Sequence, residues 1–245
     1  MTDAEKCFLS FAEELKTLVV PHTTNLEKIR IGSSGDGGYV VNKLPGYDCL
    51  YSYGSNDDIK FENGFHELYG TDSFVYDHTI EGITAKPDHI NFFKQGVWFE
   101  KNDTMDTVNN HIVTNGHSDK TNMFFKMDIE GCEWMILKDC DDLEKFSQLT
   151  IEFHMPNNIL MYRDVILSTF RRINKSFTCT HVHGTNCPLQ PWLDYDFPKV
   201  VEVTYIRNDM IETSEVDMGK YPIAGLDSAT DPTRPDMHCR WWIPY

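Results

Sequence analysis

Residues 122–131 read NMFFKMDIEG, a short apolar run that ends in two carboxylates, Asp128 and Glu130. The length of the run and its large apolar side chains predict a buried strand over residues 122–128. Charged side chains are almost never buried without a partner, so carboxylates that directly follow such a strand favour a functional role over a place in the core. The stretch therefore predicts a strand at the centre of a sheet, with a site at its carboxyl end.

Short β-branched or aromatic runs alternate with helix-length polar segments on both sides of this strand, a pattern typical of βαβ units and a parallel sheet. The predicted strands cover residues 49–54, 73–78, 90–95, 122–128, 148–154, 177–183 and 200–207. Helices are predicted near residues 59–69, 104–115, 132–145 and 158–175. The segment between the last two strands is too rich in proline for a crossover helix, so these two strands are expected to pair antiparallel.

The predicted fold class is α/β, with a seven-stranded, mostly parallel sheet, a C-terminal antiparallel hairpin and helices on both faces. This is the Rossmann-like architecture of class I methyltransferases. One domain is expected over residues 1–245, with residues 1–28 as an N-terminal helical cap and residues 208–245 as a loop that closes over the sheet. Glycines around Asp36 predict a hairpin near residues 30–42.

Composition narrows the possible partners. A formal net charge of -16 would repel nucleic-acid phosphates and acidic membrane surfaces, so neither nucleic acid nor a membrane is expected as a partner. The seven cysteines form no CxxC pair, which argues against a disulfide framework or a zinc ribbon. Because the N-terminal residues carry acids and no apolar stretch is long enough for a membrane helix, a cytoplasmic protein is expected.

Ligands of open α/β sheets bind at the carboxyl ends of the strands. The first predicted strand ends in Gly54, where the backbone can approach a ligand closely. The second ends in Asp77, whose carboxylate can accept hydrogen bonds from ribose hydroxyls or can instead cap the following helix. The sequence has no GxGxxG fingerprint, which argues against a nicotinamide oxidoreductase.

Three further polar side chains, Asp128, His154 and His183, end the fourth, fifth and sixth predicted strands. We expect them to converge at the carboxyl edge of the sheet. A carboxylate with two imidazoles suits a general base that deprotonates a hydroxyl during in-line methyl transfer, and it equally suits a divalent metal such as Mg²⁺ or Mn²⁺. Each histidine could also be an ordinary hydrogen-bonded residue of the core.

Several strings resemble the FkbM-like group of S-adenosylmethionine-dependent methyltransferases, and they occur in the expected order. They are RIGSSGDGGYVV (30–41), YSYGSNDDIKFE (51–62), FVYDHT (74–79), FFKMDIEGCEW (124–134), IEFH (151–154) and HVHGTN (181–186). The pattern Lys-x-Asp-x-Glu-Gly, at 126–131, is the most specific of them. The first-strand loop departs from many methyltransferases, since YGSNDD has one glycine where they have several.

The resemblance implies S-adenosylmethionine as the cofactor and the hydroxyl of a sugar, glycan or small metabolite as the acceptor. It implies that Asp77 binds the ribose and that Asp128 lies near the reacting methyl. The cofactor-binding residues it implies are Arg30, Asp36, Tyr53, Gly54, Ser55, Asp77, His78 and Asp128.

The sequence is also compatible with other functions. A metal-dependent hydrolase could use Asp128, His154 and His183, and a module that binds the cofactor without turnover would share the composition. Aromatic side chains in or near predicted loops could stack on a sugar or on adenine, or could simply pack as a lid. They are Trp98, Phe99, Trp192, Tyr195, Trp241 and Trp242.

Overall fold

The computed structural model describes residues 1–186, 189–192, 195–212 and 215–238, with residues 189–192 and 195–197 described by their backbone alone. The α-helices are α1 (Asp3–Val19), α2 (Lys60–Tyr69), α3 (Val108–Thr114), α4 (Glu133–Leu137) and α5 (Arg163–Ile173). The strands are β1 (His22–Thr23), β2 (Lys28–Gly32), β3 (Gly38–Asn42), β4 (Leu50–Tyr53), β5 (Ser73–Tyr76), β6 (Ile90–Phe93), β7 (Gly96–Val97), β8 (Met105–Asp106), β9 (Met123–Met127), β10 (Phe146–His154), β11 (Phe177–Gly184), β12 (Leu189–Trp192), β13 (Tyr195–Pro198), β14 (Val200–Arg207) and β15 (Glu215–Val216).

The main sheet has seven strands in the order β11-β14-β10-β9-β4-β5-β6. β14 runs antiparallel to both of its neighbours, whereas β10, β9, β4, β5 and β6 pair in parallel. These are the seven strands predicted from sequence, each within two residues at either end. The antiparallel pairing of the last two is also confirmed. The fold is therefore the Rossmann-like fold of class I methyltransferases.

The two faces of this sheet are covered differently. One face, here called the helix face, packs a continuous apolar core against α1, α3, α4 and α5. The other, here called the hairpin face, is covered by α2 and by the antiparallel β2–β3 hairpin that was predicted around Asp36. Since side chains alternate along a strand, each strand contributes to both faces.

The N-terminal helix shows how local sequence fixes an element. Thr2 and Glu5 form a reciprocal capping box that satisfies free N–H groups at the start of α1. Phe8, Phe11 and Leu15 recur at helical spacing and are all buried in the core of the helix face. The helix ends at Val19, two residues before a proline that could not continue it.

Several features depart from the sequence prediction or add to it. The helix predicted over 104–115 begins only at Val108, because β8 occupies residues 105–106. The proline-rich stretch before β14 forms an additional hairpin of β12 and β13. In the region predicted as a closing loop, β15 pairs antiparallel with β1. No helix among the described residues combines the length and apolarity that crossing a membrane requires.

Candidate active site

A cavity of about 570 Å³ lies at the carboxyl ends of β4, β5 and β9. Residues that follow these strands form one part of its wall, and the turn of the β2–β3 hairpin forms another. Further parts come from β7, Trp98 and Met105, and from the side chains of Tyr39, Phe61 and Lys126. This volume is typical of pockets that hold small molecules. The cavity lies at the edge of the sheet where the sequence predicted a site.

Most of the residues predicted to bind a cofactor lie in the wall of this cavity. They are Asp36, Gly54, Ser55, Asp77, His78 and Asp128. Two others, Arg30 and Tyr53, lie outside the wall. Among the aromatic residues named above, Trp98 lines the cavity. The ring of Phe99 packs against the ring of Trp98. The side chains of Trp192, Tyr195, Trp241 and Trp242 lie outside the described residues.

Gly54 directly follows β4, at a point where its backbone lies very close to the backbone of Asp128. Its φ of 74° lies in the left-handed region, and a Cβ at this position would stand 1.7 Å from the backbone oxygen of Asp128. The Gly54 N–H donates to the carbonyl oxygen of Tyr76 at 3.0 Å, which joins the loop to β5 as well. Only glycine fits here, because two strand ends meet at this point.

Asp77 follows β5 and links two loops of the cavity wall. Its Oδ2 accepts a hydrogen bond from the backbone N–H of Asn56 at 2.8 Å, and its Oδ1 accepts from the Thr79 backbone N–H at 2.8 Å and the Thr79 hydroxyl at 2.6 Å. Burial opposes ionisation, but these hydrogen bonds hold the pKa of Asp77 below its usual value. Asp77 is therefore a fixed carboxylate at the cavity wall, and its binding of a ribose stays a prediction.

Arg30 and Tyr53 act on the cavity only through other residues. The Arg30 guanidinium donates to the carbonyl oxygens of Ser33 at 2.8 Å and Gly35 at 2.7 Å, so it fixes the hairpin turn that carries Asp36. Tyr53 is completely buried on the helix face, where its ring stacks on that of Tyr76 at a centroid distance of 5.4 Å. The rings of Tyr76, His111 and Phe125 surround Tyr53 and separate it from the cavity, which sequence proximity to Gly54 did not reveal.

Asp128, Glu130 and His154 form a compact group beside the cavity, with one ligand atom of each within 4.8 Å of the others. The Nε2 atom of His154 lies 3.4 Å from Glu130 and 3.9 Å from Asp128. Its Nδ1 atom is 3.0 Å from the buried Glu133, which orients the ring. Glu130 adopts a φ of 59°, unusual for a side chain other than glycine, and its carboxylate is 87% exposed. The group is therefore accessible from solvent.

Negative charge dominates this group. Burial raises the pKa of Asp128 above its ordinary value. Burial and the neighbouring charge of Asp128 raise the pKa of Glu152 well above its ordinary value. Burial alone would lower the pKa of His154, but the hydrogen bond to Glu133 and the surrounding carboxylates raise it to about 9. Each shift favours the protonated form of its group, so a metal cation that binds here at neutral pH would have to displace the proton of His154.

Tyr39 and Glu152 extend the group and were not among the predicted site residues. The buried Tyr39 hydroxyl lies 2.8 Å from Oε2 of Glu152, to which it donates, and 3.3 Å from Oδ2 of Asp128. Glu152 stands two residues before His154 on β10, so strand periodicity does place both on one face. Tyr39 comes from the hairpin, 89 residues away from Asp128 in sequence. No local pattern could have paired them.

His183 does not join Asp128 and His154, contrary to the predicted convergence. Its Nδ1 lies 3.1 Å from Glu202 and its Nε2 lies 3.0 Å from Asp236, so both ring nitrogens already have partners. The reason is topological, because β14 inserts between β10 and β11 and separates strands that are consecutive in the prediction. Burial lowers the pKa of His183, but these two carboxylates raise it to about 11.

Three comparisons with known proteins bear on this site. A family model described as a methyltransferase domain matches residues 15–178, which is more than half of the chain. A search of curated proteins found no match. Among solved structures, one described as an rRNA methylase from Clostridium thermocellum aligns at 11% identity and a TM-score of 0.40, over 65% of this chain and 86% of that one. One described as a hemolysin from Streptococcus thermophilus aligns at 10% identity and a TM-score of 0.43, over 78% of this chain and 64% of that one.

The family match covers the chain from the end of α1 to the first residues of β11, together with every residue of the cavity wall. The seven-stranded topology described above is the one that class I methyltransferases share. Methyltransferases of this class take their methyl group from S-adenosylmethionine, so the family implies that cofactor. The chain belongs to this family of methyltransferase domains.

Proposed function

We propose that the protein is an S-adenosylmethionine-dependent O-methyltransferase of the FkbM-like group, which methylates a hydroxyl of a sugar, glycan or small metabolite. The observation that carries the proposal is the position of Asp128. This residue lines the cavity and also belongs to the group with Glu130 and His154, so one carboxylate joins the cofactor site to a candidate site of proton transfer.

The cavity fits S-adenosylmethionine in size and in chemistry. This cofactor carries a sulfonium and an ammonium, and carboxylates in the wall complement both charges. Asp128 Oδ1 is buried, accepts no hydrogen bond from the residues that the structure describes and lies 3.9 Å from His154 Nε2, so it retains capacity to interact with a cation. Asp77 and His78 line the part next to β5, and a carboxylate at the end of this strand can accept hydrogen bonds from the ribose hydroxyls of the nucleoside. S-adenosylmethionine supplies the electrophilic methyl group for the reaction.

The acceptor hydroxyl must lose its proton as it attacks the methyl group in line. Glu130 and His154 would orient the acceptor at that moment, and the Asp128 carboxylate, whose pKa burial raises, would accept the proton. A divalent cation such as Mg²⁺ or Mn²⁺, held by the same three residues, would add Lewis acidity. The contact of His154 Nδ1 with Glu133 supports a metal role, because a carboxylate commonly orients a metal-binding histidine through its second nitrogen.

Calorimetric titration tests the cofactor and the metal separately. We expect saturable binding of S-adenosylmethionine to the purified protein, and binding of Mn²⁺ that weakens at least about tenfold in Glu130→Gln, which removes a ligand charge. The matched control is Glu13→Gln on α1, a similarly exposed acid that belongs to no such group. If S-adenosylmethionine does not bind under any condition, the methyltransferase proposal is wrong.

A second measurement addresses the reaction. Transfer of a labelled methyl group to a panel of sugars and hydroxylated metabolites should require Asp128, and Asp128→Asn should lose nearly all turnover even when the cofactor concentration is raised to compensate for weaker binding. Methylation that occurs only on amines would contradict the O-methyltransferase part of the proposal. Metal binding without S-adenosylmethionine binding would favour a hydrolase instead.

A further inference from the structure

The wall of the cavity has a strongly unequal charge distribution. Carboxylates come from the hairpin turn, from the loops after β4 and β5, and from the residues after β9. They are Asp36, Asp58, Asp77, Asp128 and Glu130. Lys126 is the sole lysine or arginine among the described residues that line the cavity. An anionic group that enters this cavity therefore has one formal cation to pair with.

Lys126 is held on the hairpin face of β9 with its side chain only 5% exposed. Its Nζ donates to the carbonyl oxygen of Gly54 at 3.2 Å and lies 3.8 Å from Oε1 of Glu62. The ammonium also lies over the ring of Tyr39, 5.6 Å from its centroid. These contacts fix the cation in one place before any ligand arrives.

The ammonium retains capacity for a further partner. A lysine has three N–H donors, and the Gly54 carbonyl accepts one of them. Glu62 is too distant for a direct hydrogen bond to Lys126, and its Oε1 accepts instead from the Ser52 hydroxyl at 2.5 Å. Lys126 thus stabilises the buried Glu62 by charge alone and keeps donors that can turn toward the cavity.

We propose that Lys126 binds the carboxylate of the methionine moiety of S-adenosylmethionine, an inference that rests on the proposed function. The cofactor carries this carboxylate at the end opposite its nucleoside. The cavity is likewise divided: Asp77 and His78 line one part of its wall, and Lys126, Tyr39 and the hairpin turn line another. The surrounding carboxylates would repel the anionic end of the cofactor unless a cation received it.

An alternative role for Lys126 is purely structural. It could serve only to neutralise Glu62 and to hold the Gly54 carbonyl, and its removal would then weaken every ligand of the cavity equally. A comparison of two ligands separates the roles. Decarboxylated S-adenosylmethionine has the same nucleoside and sulfonium but lacks the carboxylate, so it carries more net positive charge.

The experiment measures calorimetric affinities of both ligands for the wild-type protein. The acidic wall by itself would favour the more cationic decarboxylated form. Because a charge-assisted hydrogen bond to Lys126 requires the carboxylate, we expect the wild type to prefer S-adenosylmethionine by roughly 10- to 100-fold. A wild type that binds the decarboxylated form as tightly or more tightly would overturn the inference without any variant.

The variant Lys126→Met/Glu62→Gln removes the cation without leaving the buried Glu62 as an unpaired carboxylate, and Glu62→Gln alone is its matched control. The double variant should lose the preference for S-adenosylmethionine, whereas the control should keep it. If both ligands weaken equally in the double variant, Lys126 has only the structural role. If the wild type binds neither ligand, the proposed function itself fails, which is a distinct result.

Discussion

The two faces of the central sheet are built on opposite principles. Along β10, the alternate residues Ile151 and Phe153 point to the helix face and are buried among apolar side chains. Thr150 and Glu152 alternate with them, point to the hairpin face, and are buried among hydrogen-bonding partners. One strand therefore contributes a dry surface on one side and a polar surface on the other.

The polar surface is possible because the hairpin brings its own donors and acceptors. The Gln148 side chain accepts from the Asn42 backbone N–H at 2.7 Å and donates to the Asn42 carbonyl oxygen at 2.8 Å. The Thr204 hydroxyl donates to the carbonyl oxygen of Val40 at 2.6 Å. Buried polar groups are tolerated when each has a partner, and here the edge of a second small sheet supplies them.

The comparison indicates what each face contributes. The helix face supplies non-directional stabilisation, which depends on buried apolar area. The hairpin face places charged groups at fixed positions. The Tyr39 hydroxyl contacts both Glu152 and Asp128, and so it links the hairpin face to the cavity wall. We infer that positional precision at the site comes from the hairpin face, and stability should respond to substitutions on the two faces in different ways.

The largest effect is expected for His183→Ala on the hairpin face. This change leaves the carboxylates of Glu202 and Asp236 near each other without the imidazolium between them, and loss of one partner of a buried ion pair costs about 3–5 kcal/mol. The free energy of unfolding from urea denaturation measures this cost. Affinity for S-adenosylmethionine should change little, because His183 lies outside the cavity wall.

The pH dependence of this cost has a definite sign. The pKa of His183 is raised from 6.5 to about 11, so its stabilisation is fully present below the unfolded pKa and is lost as pH rises toward the folded value. The difference between wild type and His183→Ala should therefore shrink from pH 6 to pH 10. The matched control is Val182→Ala, the buried neutral neighbour, whose cost should not depend on pH. A constant difference for His183→Ala would show that folding does not raise the pKa of His183.

The sequence predicted much of this architecture, and the reason is periodicity. Each of the seven main strands carries a local apolar signal, and the proline-rich segment before β14 excluded a crossover helix. The position of β14 between β10 and β11 has no local signature in the sequence. The prediction therefore treated β10 and β11 as neighbours and grouped His183 with His154. A correct strand order would have separated them.

The candidate site was predictable only in part. Gly54, Asp77 and Asp128 were found because each follows a strand that periodicity identifies. Lys126 lies inside a strand, where the sequence does not tell whether a lysine faces a cavity. Tyr39 reaches Asp128 only through packing of the hairpin on the sheet, which is a tertiary event. Residues at strand ends can thus be predicted, whereas residues that reach the site across a face require the structure.

A smaller effect is expected when a polar group is introduced into the helix face. Val203 pairs with Ile151 across the sheet and is completely buried in the apolar core. Val203→Thr keeps the side-chain volume but buries a hydroxyl, which costs about 1–3 kcal/mol where no hydrogen bond compensates it. Urea denaturation of the variant measures this cost. A neutral result would mean that the helix face offers a partner, and the contrast between the faces would weaken.

The reverse substitution, Thr150→Val, should have the smallest effect. The Thr150 hydroxyl lies 3.2 Å from that of Thr204, and since Thr204 donates to the Val40 carbonyl, Thr150 is the donor in this pair. Its replacement therefore leaves no buried donor unpaired, and the cost should stay below about 1 kcal/mol in urea denaturation. The control Thr204→Val removes the donor to Val40 and should cost more. Equal costs for the two variants would mean that the hairpin face is held by apolar packing, as the helix face is, and not by directed hydrogen bonds.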